Sequence, residues 1–282
     1  MAKRKTNEFR QERIDYAKDH SLGEKAILPF VRKALKATIA PVIAHVELYG
    51  LNNLIPEALI NRNVWREMYP KIYQQLGIKF ARKEFYRQRS LEPVAEKASA
   101  IEFLLNVWTS QLRDFALNYT YHIERELNET TIKVLKEALG NVYDLGIDTD
   151  GKIRLFLKDI KAKFRMRAGT IGRTEATTIS NLGKDIGARG WIEQQGGEGY
   201  KVWIGRNDSR ERPTHLQENN TIIEINDYFI VGGEQCQRAG DVNLSAKERI
   251  GCRCTISYMS QNRYNGYVKR GRIVDGKLVG AS

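Results

Sequence analysis

The spacing of apolar residues between residues 92 and 145 constrains the fold more than any other feature of the sequence. Apolar side chains recur there every three or four residues, so they fall on one side of a helix. A second stripe of the same kind covers residues 130–139 and ends at Gly140. Aromatic residues in such a stripe are typical of a packed helix core, and the sequence therefore predicts a largely helical region. The first stripe comprises Ile101, Leu104, Leu105, Trp108, Leu112, Phe115, Ala116 and Tyr119.

Other segments extend this pattern on both sides. Apolar residues at helical spacing occupy residues 27–43, and Pro41 is expected to kink or divide that helix because proline lacks a backbone donor. After Lys152 the pattern predicts two helices or one interrupted helix, with small residues that permit close packing. The segment YKVWI is rich in β-branched and aromatic residues and follows a glycine-rich loop, which predicts a short strand.

Together these patterns predict an α+β protein, with a mainly helical N-terminal region followed by a small mixed α/β domain. We expect a basic arm at residues 1–25, extended or marginally helical, a helical region at 26–148, the mixed domain at 150–258 and a basic tail at 259–282. No run approaches 18 apolar residues, and no apolar run follows the basic N-terminus, so neither a membrane span nor a signal peptide is predicted. Three cysteines do not form a disulfide framework, which favours a reducing compartment.

The net charge of +12 is unevenly distributed. Residues 1–90 hold 18 Lys/Arg against 9 Asp/Glu, residues 91–160 hold 8 against 12, and residues 161–282 hold 20 against 13. Such an excess indicates an anionic neighbour, with nucleic acid first and an acidic protein surface second, although a solvated basic surface is an equal alternative. Basic residues interleaved with aromatics, and a basic tail, suggest DNA contacts. The candidates are Lys83, Arg87, Arg89, Lys269, Arg270 and Arg272.

Polar and metal-competent residues concentrate between residues 203 and 254. Asp208, Arg210 and Arg212 alternate, so they would project from one side of an extended backbone. Three interpretations compete for them: a buried Asp–Arg network that fixes loops, a phosphate-binding patch and an enzyme site. The alternation of acid and base favours the first interpretation, because neighbouring carboxylates and guanidinium groups can satisfy each other.

His215, Cys252 and Cys254 are ligands of the kind that zinc uses. Their spacing differs from a common Cys-x₂-Cys knuckle, and the fourth ligand is undefined, with Cys236 or Asp208 as candidates. Without metal, the same residues would form a hydrogen-bonded histidine beside two half-buried thiols, and we favour this interpretation over zinc. A Cys–His nucleophilic pair is a third possibility, but the setting lacks the helix N-terminus that usually lowers the pKa of a thiol.

The order of motifs across residues 150–258 resembles the phage head-morphogenesis family, the Mu F-like minor head proteins. An Arg-Thr-Glu motif ends at Glu175 and precedes a helix of small residues, and the strand at Trp203 leads into the Asp-Arg-Arg-His segment. The closing part contains Gly-Gly-Glu, Gly-Asp and Cys-Arg-Cys. Cys236 stands where the family has an apolar residue, so we assign it to the core. The resemblance implies a structural cluster of Arg173, Glu175, Asp208, Arg210, Arg212, His215, Asp241 and Arg253.

The resemblance implies a minor head protein of a tailed phage rather than an enzyme. Such a protein acts in head assembly or in genome packaging and delivery, and lies in the virion head near the portal vertex after assembly in the host cytoplasm. Its expected partners are the portal protein, then a major capsid or scaffold protein, and packaged double-stranded DNA, with no membrane. Residues 26–148 would dock to the portal or capsid, and a structural zinc is the one cofactor considered. The alternative is a metal-dependent nuclease or hydrolase that uses the Asp/His/Cys residues.

Overall fold

The computed structural model describes residues 8–92 and 101–279. Long helices dominate the first two thirds of this structure: α1 (Glu8–Tyr49), α5 (Ile101–Tyr143) and α6 (Thr149–Glu193). Between α1 and α5 lie α2 (Pro56–Leu59), α3 (Val64–Ile72), a π-helical turn (Tyr73–Gly77) and α4 (Ile78–Leu91). The predicted α+β class is confirmed, since small antiparallel sheets follow this helical region.

The structure decides between alternatives that the sequence leaves open for three helical segments. Helix α1 continues through Pro29 and Pro41, so Pro41 does not divide it. The helix also begins at Glu8, so the described part of the predicted arm is its first turns, and Tyr16 is buried there; residues 1–7 lie outside the described residues. Residues 149–193 form one continuous helix. In each case burial along the helix offsets a weak local preference.

Helix α6 is the central element, because α1, α4 and α5 all pack against it. Every residue from 174 to 188 is buried. Its glycines permit backbone contact with α4 and with the π-helical turn before it. A Cβ added at Gly183 would lie 2.6 Å from the carbonyl oxygen of Gly77 in that turn, and one added at Gly187 would overlap the carbonyl oxygen of Ala81 in α4. The small residues of this helix therefore serve the close packing that the sequence predicts.

The mixed region begins with β1 (Gly199–Ile204), the predicted strand, which is the central strand of an antiparallel sheet between β2 (Ile222–Glu224) and β5 (Thr255–Ser260). Trp203 faces α6, where it packs with Ile256 and Ile192, and Val202 faces the opposite side with Met259. The sheet is thus covered on both faces. The remaining elements are α7 (Pro213–Glu218), β2 (Ile222–Glu224), β3 (Phe229–Val231), β4 (Glu234–Cys236), α8 (Ala246–Arg249), β5 (Thr255–Ser260), α9 (Gln261–Lys269), β6 (Ile273–Val274) and β7 (Lys277–Leu278).

Two tight hairpins complete this region. β3 and β4 are joined by Gly232 and Gly233, which both have positive φ, as the two-residue hairpin turn requires. β6 and β7 pair in the same way. Among the helices of the described residues, none has the length and apolar character needed to span a bilayer.

The contact between α6 and α4 gives a direct test of the packing. Gly187→Ala should lower the free energy of unfolding by about 1–3 kcal/mol, because the new methyl group would meet the α4 backbone, which cannot rotate away. The matched control is Gly140→Ala in α5, where nothing lies within 4 Å of the added Cβ. That change should be neutral or slightly stabilising, since alanine favours helix. Urea denaturation of both variants makes the comparison, and equal stabilities would contradict the close packing.

Candidate functional site

The histidine and the paired cysteines of the 203–254 segment meet in the core. His215 lies in α7 and is 1% exposed, and Cys252 and Cys254 precede β5 and are each 2% exposed. His215 Nδ1 lies 3.4 Å from Cys254 Sγ and 3.5 Å from Cys252 Sγ. One ligand atom from each residue lies within 4.8 Å of the other two, so this group could hold a metal ion. We call these three residues the Cys–His cluster.

A carboxylate orients the histidine from its other side. His215 Nε2 lies 3.1 Å from Oε2 of Glu248, which is buried and also accepts a 2.8 Å hydrogen bond from the Thr214 hydroxyl. Trp203 packs edge-on against the imidazole. The pKa of the Cys252 thiol is lowered, because its sulfur accepts hydrogen bonds from Cys254 and His215, which stabilise the thiolate. Glu248 is not among the residues that the sequence predicts for this site.

Polar side chains of α6 hold the backbone on which the cysteines lie. The Thr177 hydroxyl donates to the Cys252 carbonyl at 2.5 Å, and Asn181 Nδ2 donates to the Cys254 carbonyl at 3.1 Å. Thr178 donates to the Gly240 carbonyl at 3.0 Å. The sequence shows these residues only as part of a small-residue helix. The sequence nevertheless contains a sign of this role, because threonine and asparagine are unfavourable inside a helix unless their side chains make specific contacts.

Glu175 belongs to a second, separate buried network. Its carboxylate accepts hydrogen bonds from Tyr73 at 2.7 Å and from Tyr119 at 2.8 Å, and Arg249 Nη1 donates to the Tyr119 hydroxyl at 3.0 Å. Burial raises the pKa of Glu175. The carboxyl group therefore joins α6 to the π-helical turn, to α5 and to α8. Arg173, two residues earlier, is half-exposed and lies 3.8 Å from a carboxylate oxygen of Glu24.

The remaining predicted cluster residues do not gather into one network. Asp208 forms a bidentate ion pair with Arg253 at 2.6 and 2.7 Å, and this pairing lowers the pKa of the carboxyl group. The segment is not extended: Arg210 is exposed, while Arg212 donates to the carbonyls of Glu248 and Ile250. Asp241 accepts hydrogen bonds from the backbone N–H groups of Gln237 and Asn243, which fixes the loop before α8. Asp208, Arg210 and Arg212 therefore do not project from one side of an extended backbone, and that expectation is wrong. The predicted cluster residues stabilise different loops instead.

Two of the proposed DNA-binding cations on α4 are engaged within the chain. Lys83 pairs with Asp19, and Arg87 forms two hydrogen bonds with buried Glu84 at 2.8 and 3.0 Å. Gln88 joins this group and also donates to the Tyr258 carbonyl in β5. Burial alone would raise the pKa of Glu84, but the charges of Arg87 and Lys184 lower it to about 2. These contacts connect α4 with α6 and the sheet.

The C-terminal cations lie elsewhere. Lys269 is exposed at the end of α9, and exposed Arg270 packs over the ring of Tyr267 at 4.9 Å. Arg272 Nε donates to the Val279 carbonyl. The first turn of α9 approaches α4, since Arg263 donates to Gln88 at 3.0 Å. Lys269 and Arg270 thus lie at the far end of α9 from the α4 cations.

The comparisons with known proteins agree with the resemblance drawn from the motifs. Residues 128–257 match the family described as Phage Mu protein F like protein, so the Mu F-like character of this part of the chain is confirmed. The match begins inside α5, earlier than the predicted domain start at residue 150. Over 206 residues the chain is 24% identical to the uncharacterized protein YqbB of Bacillus subtilis (strain 168). This alignment covers 71% of this chain but only 61% of the length of YqbB. No solved structure matches the chain.

The Glu84 carboxylate makes the stability of the contacts between α4, α6 and the sheet dependent on pH. Its pKa is lower in the folded protein than in the unfolded chain, so its stabilisation is present above the unfolded value of 4.5 and is lost as the pH falls through about 2. Glu84→Gln should lower the free energy of unfolding by about 2 kcal/mol at neutral pH, since Arg87 loses its partner. The difference from the wild type should shrink below pH 4.5.

Denaturant unfolding at neutral and acidic pH measures both effects. The control is Glu129→Gln, which removes an exposed i,i+4 pair with Arg125 on α5 and should change stability by less than about 0.5 kcal/mol. A Glu84→Gln effect that stays constant down to the lowest accessible pH would contradict the ionised, buried role of this group.

Proposed function

We propose that this protein is a minor head protein that acts at the portal vertex of a tailed phage, as a non-enzymatic part of head assembly or genome delivery. The Mu F-like match supports phage head morphogenesis as the general role. The observation that supports a non-enzymatic role is the burial of the Cys–His cluster, because its three side chains are at most 2% exposed. A substrate has no access to this chemistry in the folded chain, which favours a structural role over a hydrolase.

The helical region offers a surface suited to a protein partner. A groove of about 790 Å³ lies between α1 and α6, with an apolar floor that includes Leu35, Ile39 and Phe164. Cations from both helices line it: Arg32, Lys36, Lys161 and Arg165. We call this surface the α1–α6 groove. An apolar groove bordered by cations is complementary to an amphipathic helix with an acidic polar face. We infer that the portal protein presents such a helix.

Copurification with the portal ring of the same phage tests this role. The double variant Lys36→Glu, Lys161→Glu should reduce portal binding by at least about tenfold, because two of the four cations of the groove become negative charges that repel an acidic partner. The control is Arg125→Glu with Lys133→Glu, an equal charge change at exposed positions of α5 outside the groove. A wild-type chain that binds no portal, or equal loss in both double variants, would contradict portal docking through this groove.

Contact with packaged DNA is the second part of the proposal. Of the six predicted DNA-binding cations, Arg89, Lys269 and Arg270 are exposed and form no ion pair among the described residues, whereas Lys83 and Arg87 pair with carboxylates. Binding through such groups is independent of sequence and weakens as salt rises, because it releases counterions from the phosphates. The strongest candidate surface is the end of α9, where Lys269 and Arg270 are adjacent.

Gel shifts on unrelated duplexes at two salt concentrations test the DNA contact. Lys269→Glu with Arg270→Glu should weaken binding by about tenfold at low salt and flatten the salt dependence, since two phosphate contacts are lost. The α5 double variant again provides the charge-matched control. DNA binding that is absent at low salt, or unchanged in the α9 variant, would contradict this contact.

A further inference from the structure

We propose that the Cys–His cluster binds one structural zinc ion through His215 Nδ1, Cys252 Sγ and Cys254 Sγ, the three ligand atoms that the described residues bring together. This inference does not rest on the proposed function, because metal binding requires no phage partner. It goes against the hydrogen-bonded interpretation that the sequence alone favours. The reason lies in how the three side chains are arranged.

The distances in the cluster match those between the ligands of a zinc ion. Zinc–sulfur bonds of about 2.3 Å and zinc–nitrogen bonds of about 2.0 Å, at tetrahedral angles, place the nitrogen about 3.5 Å from each sulfur. His215 Nδ1 lies 3.4 and 3.5 Å from the two sulfurs. A hydrogen bond at Nδ1 engages one sulfur, as acceptor from a thiol or as donor to a thiolate, whereas both sulfurs lie at nearly the same short distance from this nitrogen. A metal ion accounts for the approach of both sulfurs to this nitrogen.

The groups around the cluster are those that a bound metal requires. Histidine ligands usually donate their second ring N–H to a carboxylate, and Glu248 occupies that position 3.1 Å from Nε2. The backbone N–H of Cys254 lies 3.5 Å from Cys252 Sγ, an arrangement that stabilises a thiolate. Zinc would therefore fasten α7 to the start of β5.

Metal content of the reduced, full-length chain tests the site, with Cys236 as the internal control. Cys236 is fully buried in the same core as the two ligand cysteines but lies outside the Cys–His cluster. Wild type and Cys236→Ser should retain about one zinc per chain, whereas Cys252→Ser, Cys254→Ser and His215→Ala should lose it.

Cobalt substitution of the wild type keeps the test decisive if the ligand variants do not fold. Bound Co²⁺ should show thiolate charge-transfer bands and the intense visible bands of tetrahedral coordination, and zinc should displace it. Zinc should also protect both cluster thiols from alkylation until a chelator is added. A folded, reduced chain that binds neither metal, a chelator that changes neither thiol reactivity nor melting temperature, or ligand variants that bind zinc like the wild type would each overturn the proposal.

Discussion

Buried carbonyl groups need hydrogen-bond donors, and in this protein the middle of α6 supplies them. Loops normally lie on the surface because their backbone polar groups cannot otherwise be satisfied. Here the loops that contain Gly240 and Cys252 are packed inside, and Thr177, Thr178 and Asn181 donate to their carbonyls. The opposite side of the helix carries the glycines that contact the α4 backbone. The helix is therefore both a packing surface and a row of donors, and the arrangement of the mixed region depends on it.

The same helix connects the two parts of the chain. Its residues Ile179, Leu182 and Ile186 belong to the core of the long helices, and Ala188 and Ile192 belong to the core under the sheet. The predicted boundary at residue 150 falls where α6 begins, but the family match starts inside α5. Hydrogen bonds also cross this predicted boundary. Glu175 accepts from two tyrosines of the helical region, and Arg249 donates to one of them, Tyr119. A change that loosens α6 should therefore affect both regions together.

The sequence allowed prediction of the elements whose cause is local. The α5 stripe and the β1 strand follow from periodicity and residue type, and both are present. The continuity of α6 could not be predicted, because its glycines and threonines have weak helix preference and gain their stability from contacts far along the chain. The main partner of Asp208 could not be predicted either: Arg210 lies 3.9 Å from its carboxylate, as alternation suggests, but the bidentate ion pair is formed by Arg253, 45 residues away. Such pairing depends on the loop path, which spacing does not specify.

A dense group of acids, bases and cysteines is a poor guide to an active site when only the sequence is known, because catalysis and internal fastening use the same residue types. Solvent access separates the two. A catalytic group must reach a substrate, whereas His215, Glu248 and both cluster cysteines are nearly inaccessible and already paired. Exposed cations and apolar groups lie instead along α1, α6 and α9. Under the proposed function, partners would therefore bind the exposed groups of these helices rather than the enclosed cluster.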